Sequence, residues 1–174
     1  DWTKTELEDL NRKIRTTLTQ YRAHHPRGNM DRLMVSRRDG GRGLVDITTL
    51  HYKLVTSLRQ YFYTKQDTSQ LYNAIVNADK KYTPLNLHDT TIDHSDNIIT
   101  KDRRKSIWSQ KTLHGRHYHD LEQPHIDKTA SNAWLRRGDL FPETEGFMLA
   151  IQDQVIATRN YRKYILHDNT VTTD

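Results

Sequence analysis

Three of the chain's seven glycines fall within four positions, in the stretch MDRLMVSRRDGGRGLVDI that runs from Met30 to Ile47. Without a Cβ at Gly40, Gly41 and Gly43 the backbone accepts positive φ and close approach, so the chain reverses there whatever surrounds it. Leu33 and Val35 alternate with polar residues before the break, and Leu44 and Ile47 follow it. That alternation predicts a short β-hairpin with one buried face. Arg37, Arg38 and Arg42 stand around its tip, where a hairpin meets water.

Either side of the turn reads as helix. WTKTELEDLNRKIRTTLTQYRAHH spaces Trp2, Leu7, Leu10, Ile14, Leu18 and Tyr21 at helical intervals, opens on a Thr3/Glu6 capping box and stops near Pro26. TTLHYKLVTSLRQYFYTK repeats the period through Leu50, Leu54, Leu58 and Phe62, which predicts a second helix leaving the hairpin directly. DTSQLYNAIVNADKKY predicts a shorter helix capped by Asp67 or Thr68, and TPLNLHDTTIDHSDN a polar linker. Beyond it a helix is expected through Leu113, with Ile98, Ile107, Trp108 and Leu113 as its apolar side. A short helix ending at Gly138 follows. The last is a long one started by Pro142, with Glu143 and Glu145 at its positive end and Phe147, Ile151 and Val155 in line. The expected fold is mainly α, a helical bundle with one short β-hairpin and a second helical subdomain after a polar linker. Its expected parts are a helix–hairpin–helix unit at 1–66, a short helix and polar linker at 67–97, and a helical subdomain at 98–174.

Only 34% of the residues are apolar and the mean hydropathy is -0.93, so the core is thin. Lys and Arg number 27 against 22 Asp and Glu, a formal charge of +5 that favours a polyanionic partner. The absence of cysteine excludes a disulfide framework, a thiolate zinc site and a cysteine nucleophile. No stretch is apolar for long enough to span a membrane and no charged-then-apolar leader opens the chain. The expectation is therefore no membrane association and an intracellular location, nuclear or cytoplasmic. Opening on Asp1 rather than Met and ending in the polar run HDNTVTTD, the chain reads as a piece of a larger polypeptide.

Residues with chemistry to offer are few. His114, His117, His119 and His125 crowd one segment. His117 and His119, two apart, would diverge on a helix, so no metal site is expected. Asp89, Asp93 and Asp96 lie in the polar linker with no glycine-rich phosphate loop beside them. No nucleophile elbow and no HExxH motif is present, and no catalytic residue is expected. What remains is basic residues set beside aromatics. Lys101, Arg103, Arg104 and Lys105 precede Trp108; Arg116 adjoins Tyr118; Arg136 and Arg137 follow Trp134; Arg159, Arg162 and Lys163 interleave with Tyr161 and Tyr164. Separate clusters of one sign suit contact along a phosphate backbone, although an ordinary solvated face has the same composition. Arg37, Arg38, Arg42, Lys101, Arg103, Arg104, Lys105 and Arg116 are the candidate nucleic-acid contacts.

Several segments are also similar to a known family. LNRKIRTTLTQYRAHHPRGNMDRLMVSRRDGGRGLVDI resembles the region just after the polymerase palm in non-LTR (LINE-like) retrotransposon reverse transcriptases. WSQKTLHGRHYHDL and NAWLRRGDLFPETEGFMLAIQDQVIATRNY resemble segments that follow it in one metazoan branch of those proteins. The resemblance covers most of the chain and is weakest over residues 64–100. It implies a fragment made of the thumb, at 1–66, and the connector after it. In the family the catalytic aspartate pair lies upstream and a Cys/His knuckle with a nuclease downstream, and no position here matches either. The implied partners are RNA and DNA template-primer and the rest of the parent polyprotein. Magnesium is expected for the parent polymerase and no cofactor for this chain, which alone should be inactive. On the same resemblance the arginines at the turn would reach phosphates and the three glycines would bring the backbone close to the duplex. An alternative is a helical protein-interaction module domesticated from such an element and docking through Phe147 to Val155. A histidine-metal nuclease is the least favoured reading.

Overall fold

The computed structural model describes residues 2–172 and is mainly helical, with no β-strand among the described residues. The last two residues of the expected 98–174 subdomain, in the polar end of the chain, lie outside the described residues. The chain groups into two compact units, residues 1–12 with 45–100 and residues 13–44 with 101–174. These differ from the expected parts, because residues 13–44 belong with the C-terminal region and not with the helix that follows the turn.

Helix α1 (Lys4–Gln20) contributes its opening to the first unit. It starts as expected: the Thr3 amide donates to Glu6 Oε2 at 2.8 Å, and the Glu6 amide donates back to Thr3 Oγ1 at 3.3 Å. Asn11, further along α1, organises the start of α3 (Ile47–Gln66). Its Oδ1 accepts from the Ile47 amide and its Nδ2 donates to Asp46 Oδ1, while Asp46 caps the helix through the amides of Thr48 and Thr49. α3 then packs on α4 (Gln70–Ala78). The N-cap of α4 is Ser69; Asp67 instead closes α3.

The buried face of α3 is not its leucine stripe. Thr49, Val55 and Arg59 are buried, whereas Leu50, Leu54 and Leu58 are each 41–56% exposed. The reason is Arg59. Its guanidinium donates to the carbonyls of Leu85, Asn86 and Asp89 and to the Tyr63 hydroxyl, and its carbon lies 5.5 Å from the centre of the Tyr63 ring. These bonds fasten the polar segment after α4 onto α3, with Tyr63 donating to the Leu87 carbonyl and Asp79 accepting from the Leu87 amide.

In the second unit α1 ends where Arg22 takes the left-handed conformation, φ 56°, and the Ala23 amide closes back on the Leu18 carbonyl at 2.8 Å. The expected hairpin is replaced by a short helix and a return. Asn29 caps α2 (Met30–Met34), a 3₁₀ turn follows at Arg37–Asp39, and the chain then runs back along the end of α2. The amides of Gly41, Arg42, Gly43 and Leu44 donate to the carbonyls of Ser36, Arg32, Val35 and Leu33 at 2.8–3.1 Å. The returning segment thus satisfies the carbonyls that a helix end leaves open. Leu33 and Val35 are buried, as an alternating strand would also have buried them.

α5 (Lys101–Ser109) packs on α2 and is shorter than expected at both ends. Its Trp108 is fully buried and donates Nε1–H to the His114 carbonyl at 2.8 Å. α6 (Arg116–Leu121), α7 (Lys128–Ser131) and α8 (Ala133–Arg137) follow, with Gly138 ending α8 as expected. α9 (Pro142–Gln152) begins on Pro142 but stops at Gln152, where Gln154 is left-handed and the Val155 amide reaches back to the Ala150 carbonyl. Val155 therefore leaves the helix and is buried, while Phe147 and Ile151 are exposed. The three do not form one docking face. A π-helical turn at Tyr161–Ile165 is the last element.

Candidate nucleic-acid interface

All eight candidate contacts lie in the second unit, and the interior of that unit claims several of them. Glu145, in the first turn of α9, is buried and accepts from two arginines. Arg42 donates Nε–H to Glu145 Oε1 at 2.7 Å and further hydrogen bonds to the carbonyls of Ala23 and Pro142. Arg37 closes a fork on the same carboxylate, Nη1 to Oε2 at 2.8 Å and Nη2 to Oε1 at 3.1 Å, and also donates to the Leu135 carbonyl. Arg42 is only 7% exposed. It belongs to the fold and not to a solvent-facing tip. Arg37 keeps part of its side chain at the surface, and Arg38 alone of the three is exposed as a residue.

The three glycines serve the same return. Gly40 and Gly43 have φ of 89° and 74°, and a Cβ at Gly41 would collide with the Val35 carbonyl. Beneath them lies an arginine that sequence reasoning passed over. Arg32, fully buried, pairs with Asp153 at 2.8 Å, donates to the Gly40 carbonyl at 2.8 Å, and sits 4.9 Å from the centre of the Trp108 ring. Asp153 also accepts from the Asn29 amide, so one carboxylate ties α9 to both the cap and the side of α2. Arg32 and Asp153 are 121 residues apart, and no local pattern announces the pair.

The basic run on α5 divides in the same way. Arg104 pairs with Asp31 at 3.2 Å and Lys105 with Asp39 at 3.3 Å, and Lys111 reaches Asp31 at 3.0 Å. Burial works to raise the Asp39 carboxyl, but hydrogen bonds from Ser36 and Lys105 outweigh it and hold the group below the usual carboxylate range. Lys101 and Arg103 are exposed, and so is Arg116 at the start of α6. The structure adds two neighbours to Arg38. Asn132 Nδ2 donates to the Arg38 carbonyl at 3.2 Å, and α8, which follows Asn132, packs beside the 3₁₀ turn. α8 carries the exposed Arg136 and Arg137. Three arginines from distant segments thus stand on adjoining elements.

Charge is partitioned between the units. The second holds 20 of the Lys and Arg against 12 of the Asp and Glu, a formal +8; the first holds 7 against 10, a formal −3. In the second unit Glu145 and Asp153 are buried against arginines, whereas Asp31 is partly covered beside Arg104 and Asp39, paired with Lys105, keeps 35% of its side chain exposed. The histidines do not form a metal-holding group: among the described residues no three His, Asp or Glu side chains gather in such an arrangement. His119 and His125 are exposed, while His114 Nδ1 and His117 Nε2 are buried without a hydrogen-bond partner. Burial lowers the pKa of both, that of His117 to about 4. No helix among the described residues is long and apolar enough to cross a membrane. Compared with known proteins, the chain matches no family model, no curated protein and no solved structure.

Proposed function

We propose that this chain is a nucleic-acid-gripping portion of a non-LTR retrotransposon RNA-directed DNA polymerase, its thumb and connector, and that it lacks the catalytic palm. The observation that carries the reading is the formal +8 of the second unit, with Arg38, Arg136 and Arg137 exposed on adjoining elements. A polymerase must hold its template-primer without regard to sequence, so the grip falls on phosphates and duplex shape. Arginines on short, internally braced elements suit that task, because the ion pairs beneath hold the backbone that presents them. The resemblance of the segments around the glycine turn and of residues 132–161 supports the same assignment. The exposed stripe of Leu50, Leu54 and Leu58 favours a second reading, a helical protein-interaction module derived from such an element.

A salt titration on two primer-template duplexes of unrelated sequence separates the two. Wild-type affinity should fall steeply with salt, and replacing Arg38, Arg136 and Arg137 with alanine should flatten the log–log slope by ~0.9 for each phosphate that is no longer neutralised. The loss should be equal on both duplexes and the melting temperature unchanged. An unaltered slope would make these arginines ordinary solvated residues, and salt-insensitive or absent binding would leave the protein-interaction reading.

A further inference from the structure

A cavity of about 440 Å³ in the second unit lies between the end of α9 and the π-helical turn. It is within the size range of small-ligand sites, ~300–1,000 Å³. Leu113, Ile151 and Ile156 supply an apolar lining, and Tyr161 and Tyr164 supply aromatic rings. Gln154 and Asn160 also line it, and neither carboxamide bonds to another described residue. Arg159, next to Asn160, is exposed. We propose that this cavity takes one unpaired base of a single-stranded nucleic acid, with Arg159 meeting a phosphate of the same strand.

Each part of the lining has a task in that assignment. Tyrosine rings stack on a base of any identity, because every base has a π face. The two carboxamides each carry a donor and an acceptor, which a base edge can satisfy and an aliphatic side chain would strand. The charge of the unit favours a polyanion. Arg159, next in sequence to the lining residue Asn160, is exposed and has no carboxylate partner among the described residues, whereas Arg162 is already held by Asp168 at 2.6 Å. The inference rests on the nucleic-acid reading and deepens it. A grip on duplex phosphates would be joined by a site for the unpaired strand that enters or leaves the duplex.

The test uses the whole chain, a labelled single-stranded hexanucleotide, and an abasic strand with the same number of phosphates. One stacked base should make the first bind about 5- to 150-fold more tightly than the second. Tyr164→Ala should abolish that ratio, and Tyr164→Phe should keep it. Tyr164 is 61% exposed, so neither change threatens the fold. Equal affinity for the two strands, or a ratio unaffected by Tyr164→Ala, overturns the assignment and leaves the groove to an apolar protein segment. A duplex of equal charge distinguishes the failures. Salt-dependent duplex binding with no base preference sinks only the cavity, whereas loss of all nucleic-acid binding sinks both readings.

Discussion

The two units bury arginine in opposite ways. In the first, Arg59 donates to three loop carbonyls and a tyrosine hydroxyl, with no carboxylate paired to it among the described residues. In the second, Arg32 and Arg42 are buried against the carboxylates of Asp153 and Glu145. A guanidinium satisfied by carbonyls organises a polar segment, and its loss leaves neutral acceptors in place of a stranded charge. A buried carboxylate that loses its arginine is left as such a charge. Arg32 with Asp153 and Arg42 with Glu145 carry one charge of each sign inward, so this bracing ties distant elements together without altering the charge balance of the unit's surface.

The contrast breaks first at the carboxylate. Asp153→Ala strands Arg32 in the interior beside Trp108 and should destabilise the second unit by about 3–5 kcal/mol. Urea unfolding followed by tryptophan fluorescence measures it, and a loss below about 1 kcal/mol would mean that Arg32 finds water or a new partner. The first unit should respond less. Arg59→Met removes charged hydrogen bonds to buried and part-buried acceptors, at a cost of about 1.5–3 kcal/mol. Hydrogen exchange should show faster amide exchange in residues 79–89, with the second unit unaffected. Equal loss of protection in both units would show that they unfold together and that the contrast does not reach their energetics.

Features set by a few neighbouring residues were readable from the sequence. The Thr3/Glu6 box, the Pro142 start, the Gly138 stop and the reversal at Gly40 to Gly43 all depend on backbone chemistry within a turn. The misreadings came where a local pattern has two tertiary solutions. Alternation at Leu33 and Val35 fits a strand, but it fits equally well a short helix running into an extended residue, and Asn29 capping chose the second. The leucine stripe of α3 gave the element and not its buried face, because periodicity locates a stripe without saying which side of the helix a distant loop will claim. Arg38 and Arg42 look alike in the sequence, yet Glu145, more than a hundred residues away, holds one of them inside. The candidate interface was legible as composition and illegible as geometry for that reason.

Acid should sharpen the contrast, with the smallest effect of the three. His117 is half-buried, its Nε2 lacks a partner, and burial together with the nearby Arg32 charge lowers its pKa from 6.5 to about 4. His24 and His114, in the same unit, are lowered by burial in the same direction. In the first unit His94 is likewise lowered by burial. A histidine with a depressed folded pKa takes up its proton in the unfolded chain first. Its contribution is fully present above pH 6.5 and is lost progressively as the pH falls towards 4. Partial solvent access discounts the full shift, leaving about 1–2 kcal/mol from His117. Urea midpoints at pH 7, 5.5 and 4.5 should therefore fall faster for the second unit, read at Trp108, than for the first, read by hydrogen exchange. His117→Phe should flatten the pH dependence of the second unit even if it changes the midpoint at pH 7. An unchanged slope in that variant would mean that His117 titrates normally and that the acid sensitivity of the unit lies with other groups.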